Sequence, residues 1–181
     1  MTNALATGLS TGTWAIDASH SEVGFTVRHL VVSKVRGSLS GVAGTIVVAE
    51  DGIKIDATID AATITTRDEN RDGHIKSADF FDIENHPTWT FTSTSVVGSG
   101  HDFKLVGDLT LRGVTKSVTL DVEFAGVNTD PWGNTKAGFE AKGSINRKDF
   151  GVEWNAPLET GGVLVGEEVK IELNIQAARQ A

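Results

Sequence analysis

Residues 67–87, RDENRDGHIKSADFFDIENHP, gather six acids, three bases and two histidines into one stretch. Side chains of these types could ligate a metal or exchange protons with a substrate. His74, His86, Asp79 and Asp82 would be the metal ligands, but the stretch contains no HExxH, no paired histidines and no carboxylate-rich cation loop. No metal or cofactor is therefore expected. General acid or base work needs a carboxyl or imidazole with a shifted pKa facing a cleft, which spacing alone does not establish. The same stretch also reads as a long loop breaking a strand meander between Thr66 and Thr88. In it Ser77 can cap a short helical turn, Phe80, Phe81 and Ile83 can turn inward, and Arg67, Arg71 and Asp72 can tie the loop to its neighbours. Two adjacent phenylalanines weigh against disorder, so this loop is expected to close something.

Asp17, His20 and Ser21 invite a serine-hydrolase reading that fails on context, because no GxSxG elbow surrounds Ser21. His29 shares parity with Phe25 and Val27 and should face the interior with them. There it could hydrogen-bond a ligand oxygen or be satisfied by a neighbouring strand. Arg147 and Asp149, two apart in INRKDFGVEWN, suit a salt-bridged brace at the rim of a sheet. Trp14, Trp89 and Trp154 suit either a core or a cavity wall, and Trp132, in DPWGN, a plug or an interface.

The elements that position these groups are strands. Val23, Phe25, Val27, His29 and Val31 alternate with Glu22, Thr26 and Arg28, and Ile53, Ile55, Ala57 and Ile59 alternate with Lys54, Asp56, Thr58 and Asp60. The signature returns through 86–96, 101–113, 114–126, Phe139–Ile145 and Val169–Ile175, separated by turns at 50–52, 98–102, 112–115, 128–134 and 160–162. Short turns imply an antiparallel meander, since parallel strands need crossovers that are not present. About eight or nine strands in 181 residues with one apolar face are expected to close into a single barrel, which removes the exposed edges. A flat sandwich is the structural rival. Residues 1–11 offer little to bury and are expected to form a flexible tail, leaving 12–178 as the domain.

Composition excludes several functions. No cysteine is present, so disulfides and thiolate chemistry are ruled out. A formal charge of −8 makes nucleic acid or an anionic membrane an unfavourable partner for the chain as a whole. No apolar run is long enough to span a bilayer, so no stable membrane insertion is expected. The first residues carry neither a basic start nor a long apolar run, and a cytoplasmic location is the default expectation.

Four blocks carry a resemblance: WAIDASHSEVGFTVRHLVVSKVRGSLSG at 14–41, IDAATITTRDENRDGHIKSADFFDIENHPTWTFTSTSV at 59–96, GDLTLRGVTKSVTLDVEF at 107–124 and AGFEAKGSINRKDFGVEWN at 137–155. In this order and spacing the chain resembles the YceI-like, polyisoprenoid-binding family. The resemblance implies an all-β, lipocalin-like antiparallel barrel with a helical excursion around 68–84 that walls or lids a pocket. It also implies non-catalytic binding, storage or transport of a long-chain isoprenoid, quinone-like or similar amphiphilic lipid, and family habit suggests a homodimer. Strand parity and apolar size nominate Phe25, Val27, Ile59, Phe80, Phe81, Trp89, Phe91, Leu105, Leu109, Phe124, Phe139 and Ile145 as lining, with His29 as the leading polar contact. Two rivals stand beside this expectation: a lipid-modifying enzyme using His20, His29 or His74, and a stress-related interaction module with a packed core.

Overall fold

Ten strand segments and one helix account for the regular structure in the computed structural model, which describes residues 9–98, 100–159 and 161–181. The strands are β1 (Gly12–Ile16), β2 (Glu22–His29), β3 (Ser33–Leu39), β4 (Val42–Ala49), β5 (Gly52–Asp60), β6 (Thr88–Val97), β7 (Asp102–Leu111), β8 (Val114–Thr129), β9 (Thr135–Asn146) and β10 (Val165–Arg179). The helix α1 (Glu69–Lys76) lies between β5 and β6. Every pairing is antiparallel.

The ten segments close as eight. β1 pairs with β4 (Trp14 opposite Ile46) and β2 pairs with β3 (Phe25 opposite Gly37), so the first four segments form one long hairpin whose two arms are each bent once. The bends are a 3-10 turn at Ala18–His20 and the Ser40–Gly41 corner. β10 completes the circle by pairing with β9 on one side and, on the other, with β2 through Val165–Asn174 and with β1 through Ala177–Arg179. Closure pairs most strand edges internally, which is why a sheet this long needs no second layer; among the described residues the outer edge of β3 carries only the Ser38–Thr65 bridge.

Inside, two apolar clusters stack along the barrel. One holds Trp14, Ile46, Phe103, Leu120, Phe124 and Phe139, and the other holds Val23, Leu39, Ile59, Trp89, Leu109 and Phe150. Residues 1–8 of the expected tail lie outside the described residues. Leu9, however, is buried in the first cluster and Trp14 Nε1 donates to the Ser10 carbonyl at 3.1 Å, so ordered packing begins three residues before the expected domain boundary.

Three local expectations are corrected. Val31 is not the end of a strand but a left-handed turn residue with φ 65°. The strand expected to run to Thr66 stops at Asp60, where the Asp60 side chain caps a 3-10 turn and leaves Thr65 to bridge Ser38. Arg147 and Asp149 sit in a 3-10 turn capped by Asn146 rather than on one strand face, because the Asn146 side chain takes the Lys148 N–H and turns the chain.

Asp17 holds the bend between β1 and β2. Its carboxylate accepts from Ser19 Oγ (2.7 Å), Ser19 N (3.1 Å) and Lys136 Nζ (3.0 Å), with His20 Nδ1 also at 3.0 Å. These bonds, the Ser19 hydroxyl's foremost and then those of His20 and Lys136, hold its pKa well below the usual carboxylate range. A pKa depressed in the folded state gives stability that is complete above the unfolded value of about 4 and is lost as pH falls below it. The urea midpoint should therefore drop as pH is lowered from about 5 toward 2, and Asp17→Asn should flatten part of that slope. An identical slope in the variant would remove Asp17 from the acid response.

Candidate functional site

The barrel is not filled by its own side chains. A cavity of about 350 Å³ lies within it, in the size range of small-molecule sites. This removes the fully packed core on which the stress-module alternative depended. The walls are built by strand parity: Phe25 and Val27 from β2, Ile59 from β5, Trp89 and Phe91 from β6, Leu105 and Leu109 from β7, Phe139 and Ile145 from β9 all line it, and His29 does so at the end of β2. Phe80 and Phe81 line it from the segment after α1.

Phe124 does not. It is buried in the core cluster between His101 and Phe139, whose ring centroids are 5.7 and 5.4 Å away, and is not part of the cavity lining. Two glycines make room for lining rings. The Phe25 ring lies across Gly37 and the Phe91 ring across Gly107, so a methyl group at either position would overlap the ring. Rings lying flat on glycine backbone leave the lumen open where an upright phenyl would cross it.

The helical excursion forms one wall. Asp68 caps the start of α1 by accepting from Arg71 N at 3.0 Å, while Ser77 closes its end by donating to the His74 carbonyl at 2.6 Å and caps the next turn by accepting from Asp79 N at 3.3 Å. Asp72 ties the helix to the chain before it by accepting from Thr66 N (2.7 Å), Thr66 Oγ1 and Thr65 Oγ1 (3.1 Å). Burial pushes the Asp72 carboxyl up, but the Thr66 and Thr65 hydrogen bonds and the nearby Lys76 charge outweigh it and leave the pKa below its ordinary value. Arg71 adds bonds from Nε to Thr66 Oγ1 (2.7 Å) and from Nη2 to the Thr66 carbonyl (2.9 Å). So anchored, the helix presents Arg71, His74 and Ile75 to the cavity. His74 meets Phe80 and Trp154 edge-on at 5.0 and 4.7 Å, and its Nε2 lies 2.9 Å from Asp79 Oδ2.

A second wall is the segment after β9. Arg147 is 4% exposed and reaches no carboxylate among the described residues; its Nε donates to the Gly166 carbonyl (2.8 Å), Nη1 to those of Val152 (3.0 Å) and Trp154 (2.9 Å), and Nη2 to that of Val165 (3.3 Å). The expected Arg147–Asp149 brace is thus replaced by a guanidinium that pins one loop to the start of β10. Burial lowers its pKa, with Glu167 acting in the opposite direction, and an arginine remains charged regardless. Trp132, by contrast, is exposed in its turn and plugs nothing.

Polarity in the lumen has one sign. Arg28, Arg71 and Arg147 contribute to the lining with His29 and His74, and no Asp or Glu does so among the described residues. Arg28 and Arg71 are exposed, which marks where the cavity reaches the surface. Deeper in, Trp89 is 5% exposed, and its Nε1 has no hydrogen-bond partner among the described residues. An indole N–H buried against an apolar cavity without an acceptor is costly, and a ligand oxygen could supply one. His20 lies apart, exposed at the bend beside Asp17. No cluster of three potential metal ligands occurs among the described residues.

A closed antiparallel barrel with an open apolar lumen and a helical wall defines a lipocalin-like barrel. The profile of the YceI-like domain matches residues 14–177, and the chain belongs to that family. UPF0312 proteins of Staphylococcus aureus strains MSSA476 and MW2 are each 40% identical over 171 residues, covering 90% of this chain and 95% of theirs. Among solved structures, a Campylobacter jejuni YceI protein superposes with TM-score 0.70 at 28% identity, covering 85% of this chain and 90% of that one. Burkholderia cenocepacia BcnA gives 0.76 at 21% over 89% and 98%, and a polyisoprenoid binding domain from Saccharophagus degradans 0.70 at 15% over 92% and 98%; these two likenesses are of fold.

Proposed function

We propose that this protein is a non-catalytic carrier that binds, stores or transports a long-chain isoprenoid, quinone-like or similar lipid in its barrel lumen. The observation that carries the reading is the unfilled apolar cavity whose lining holds cationic and N–H donors and, among the described residues, no carboxylate. The mechanism is partition: a hydrocarbon tail leaving water gains about 25 cal/mol per Å² of apolar surface buried. The polar groups fix the ligand's direction and favour a head that accepts hydrogen bonds. Family membership supports lipid binding in general terms.

Ligand should raise the melting temperature. At a ligand concentration about a hundredfold above Kd the gain is about 2.7 kcal/mol, which for a domain of this size is about 5–10 °C. A polyprenol or a prenylated quinone should produce that shift and a water-soluble head-group analogue should not. Trp89→Phe keeps the apolar wall but removes the donor, so affinity for a carbonyl-bearing quinone should fall about tenfold while a hydrocarbon of equal length is unaffected. Equal affinity in both proteins would mean that no ligand oxygen reaches the indole.

The His74–Asp79 contact beside the cavity supports a second reading, a lipid-modifying enzyme. It requires turnover that disappears in His74→Gln with binding retained.

A further inference from the structure

The β2–β3 hairpin ends in Leu30, Val31 and Val32, and Val32 is 82% and Val31 59% exposed. Leu30 and Val31 hold positive φ values of 55° and 65°, a conformation that a β-branched residue rarely adopts. Exposed Val163 adjoins them: Leu30 N–H donates to the Leu164 carbonyl at 2.9 Å, and Val31 packs beside Gly162. Four large apolar side chains are thus presented to solvent at one corner by a backbone under strain.

Charge segregates to the same corner. The chain carries 24 acidic residues, yet Val23–Ala49 contains none, and Arg28, Lys34 and Arg36 are exposed on the hairpin. Arg28 faces Lys34 across the ladder, and Arg36, Thr26 and Lys170 form the next row. Glu167 on β10 is engaged by Lys148 at 2.9 Å, and exposed Glu168, two residues before Lys170, is an acid that shares this face. The corner also borders the cavity mouth, because Arg28, His29, Leu164 and Val165 line the lumen as well.

We propose that the Leu30–Val32 tip with Val163 is a docking surface for an anionic lipid bilayer. The apolar tip enters the head-group layer, the Arg28–Lys34–Arg36–Lys170 shoulder meets the lipid charge, and the mouth of the lumen is thereby turned toward the membrane. The −8 net charge repels the bilayer in other orientations, so it selects this face. The purpose assigned to this docking, exchange of a lipid cargo, rests on the carrier reading; the docking itself is measured without cargo.

The test is co-sedimentation of the full chain with vesicles of equimolar phosphatidylcholine and phosphatidylglycerol containing no isoprenoid. The wild type should sediment with these vesicles, but not with pure phosphatidylcholine or in high salt. Val31→Asp/Val32→Asp and Lys34→Glu/Arg36→Glu should each weaken binding at least about tenfold, while both variants still take up detergent-solubilised polyprenol. A wild type that stays in solution, or variants that bind undiminished, would overturn the proposal. So would a concentration-dependent dimer that Val32→Asp dissolves, since a second copy would then own the patch. Intact vesicle binding with no polyprenol uptake by any of the proteins would instead sink the carrier reading and leave the docking surface standing.

Discussion

Replacing Ala57 and Ala141 together with phenylalanine should abolish lipid uptake and leave the barrel folded. Both alanines line the lumen, from β5 and β9, and both are the small members of otherwise bulky walls. Two phenyl rings would occupy space that the account assigns to a ligand tail. Each methylene they expel forfeits about 0.8 kcal/mol, so losing four amounts to about 3 kcal/mol, more than about a hundredfold in affinity. Overpacking a filled core costs about 1–3 kcal/mol, but here the added atoms enter space no side chain occupies. The urea midpoint and far-ultraviolet circular dichroism should therefore stay near wild type while binding disappears, and Ala141→Leu should give an intermediate affinity. Undiminished uptake by the double variant would place the lipid somewhere other than the lumen.

Arg147→Met should cost about 3–5 kcal/mol of stability, the largest single-residue effect expected, because it leaves the carbonyls of Val152, Trp154, Val165 and Gly166 without their buried donor. At this chain length that is about 6–20 °C in melting temperature. Arg147→Lys should recover little, since an ammonium cannot aim donors along the separate directions that the guanidinium fork spans. Amide exchange should accelerate first in residues 152–166, the wall that Arg147 pins. A loss below about 1 kcal/mol would mean that water replaces the arginine without penalty.

How far the sequence could be read follows from what a strand encodes. Side chains alternate with period two, so in or out was legible for Phe25, Val27, Ile59, Leu105, Leu109 and Phe139, and the structure puts all of them on the cavity wall. Height along the barrel is not encoded in that period. Phe124 shares the inward parity but lies where β8 bulges between Phe124 and Gly126, packed in the core cluster and outside the cavity lining. The loop contacts were harder still. Arg147 and Asp149 suggested an ion pair because opposite charges at short spacing are visible in a sequence; four backbone carbonyls are not. The orphan N–H of Trp89 likewise exists only once strands from distant parts of the chain have enclosed it. For α1, the cap expected at Ser77 falls at the helix C-terminus and on the turn that follows, where its Oγ accepts from Asp79 N at 3.3 Å, and the hydrogen bonds of Asp72 and Arg71 to Thr66 realise the tie expected of that charged stretch. Net charge is a different kind of quantity: −8 describes the whole chain, whereas the acid-free stretch Val23–Ala49 describes one corner.

The most direct measurement is mass spectrometry of an organic extract from gently purified protein, followed by titration of the stripped protein with long-chain isoprenoids. The account predicts a co-purifying long-chain lipid bearing at least one polar oxygen, near one per barrel, and its return to the stripped protein with a higher melting temperature. Protein that yields no lipid, takes none up and melts at the same temperature with or without isoprenoid would contradict it.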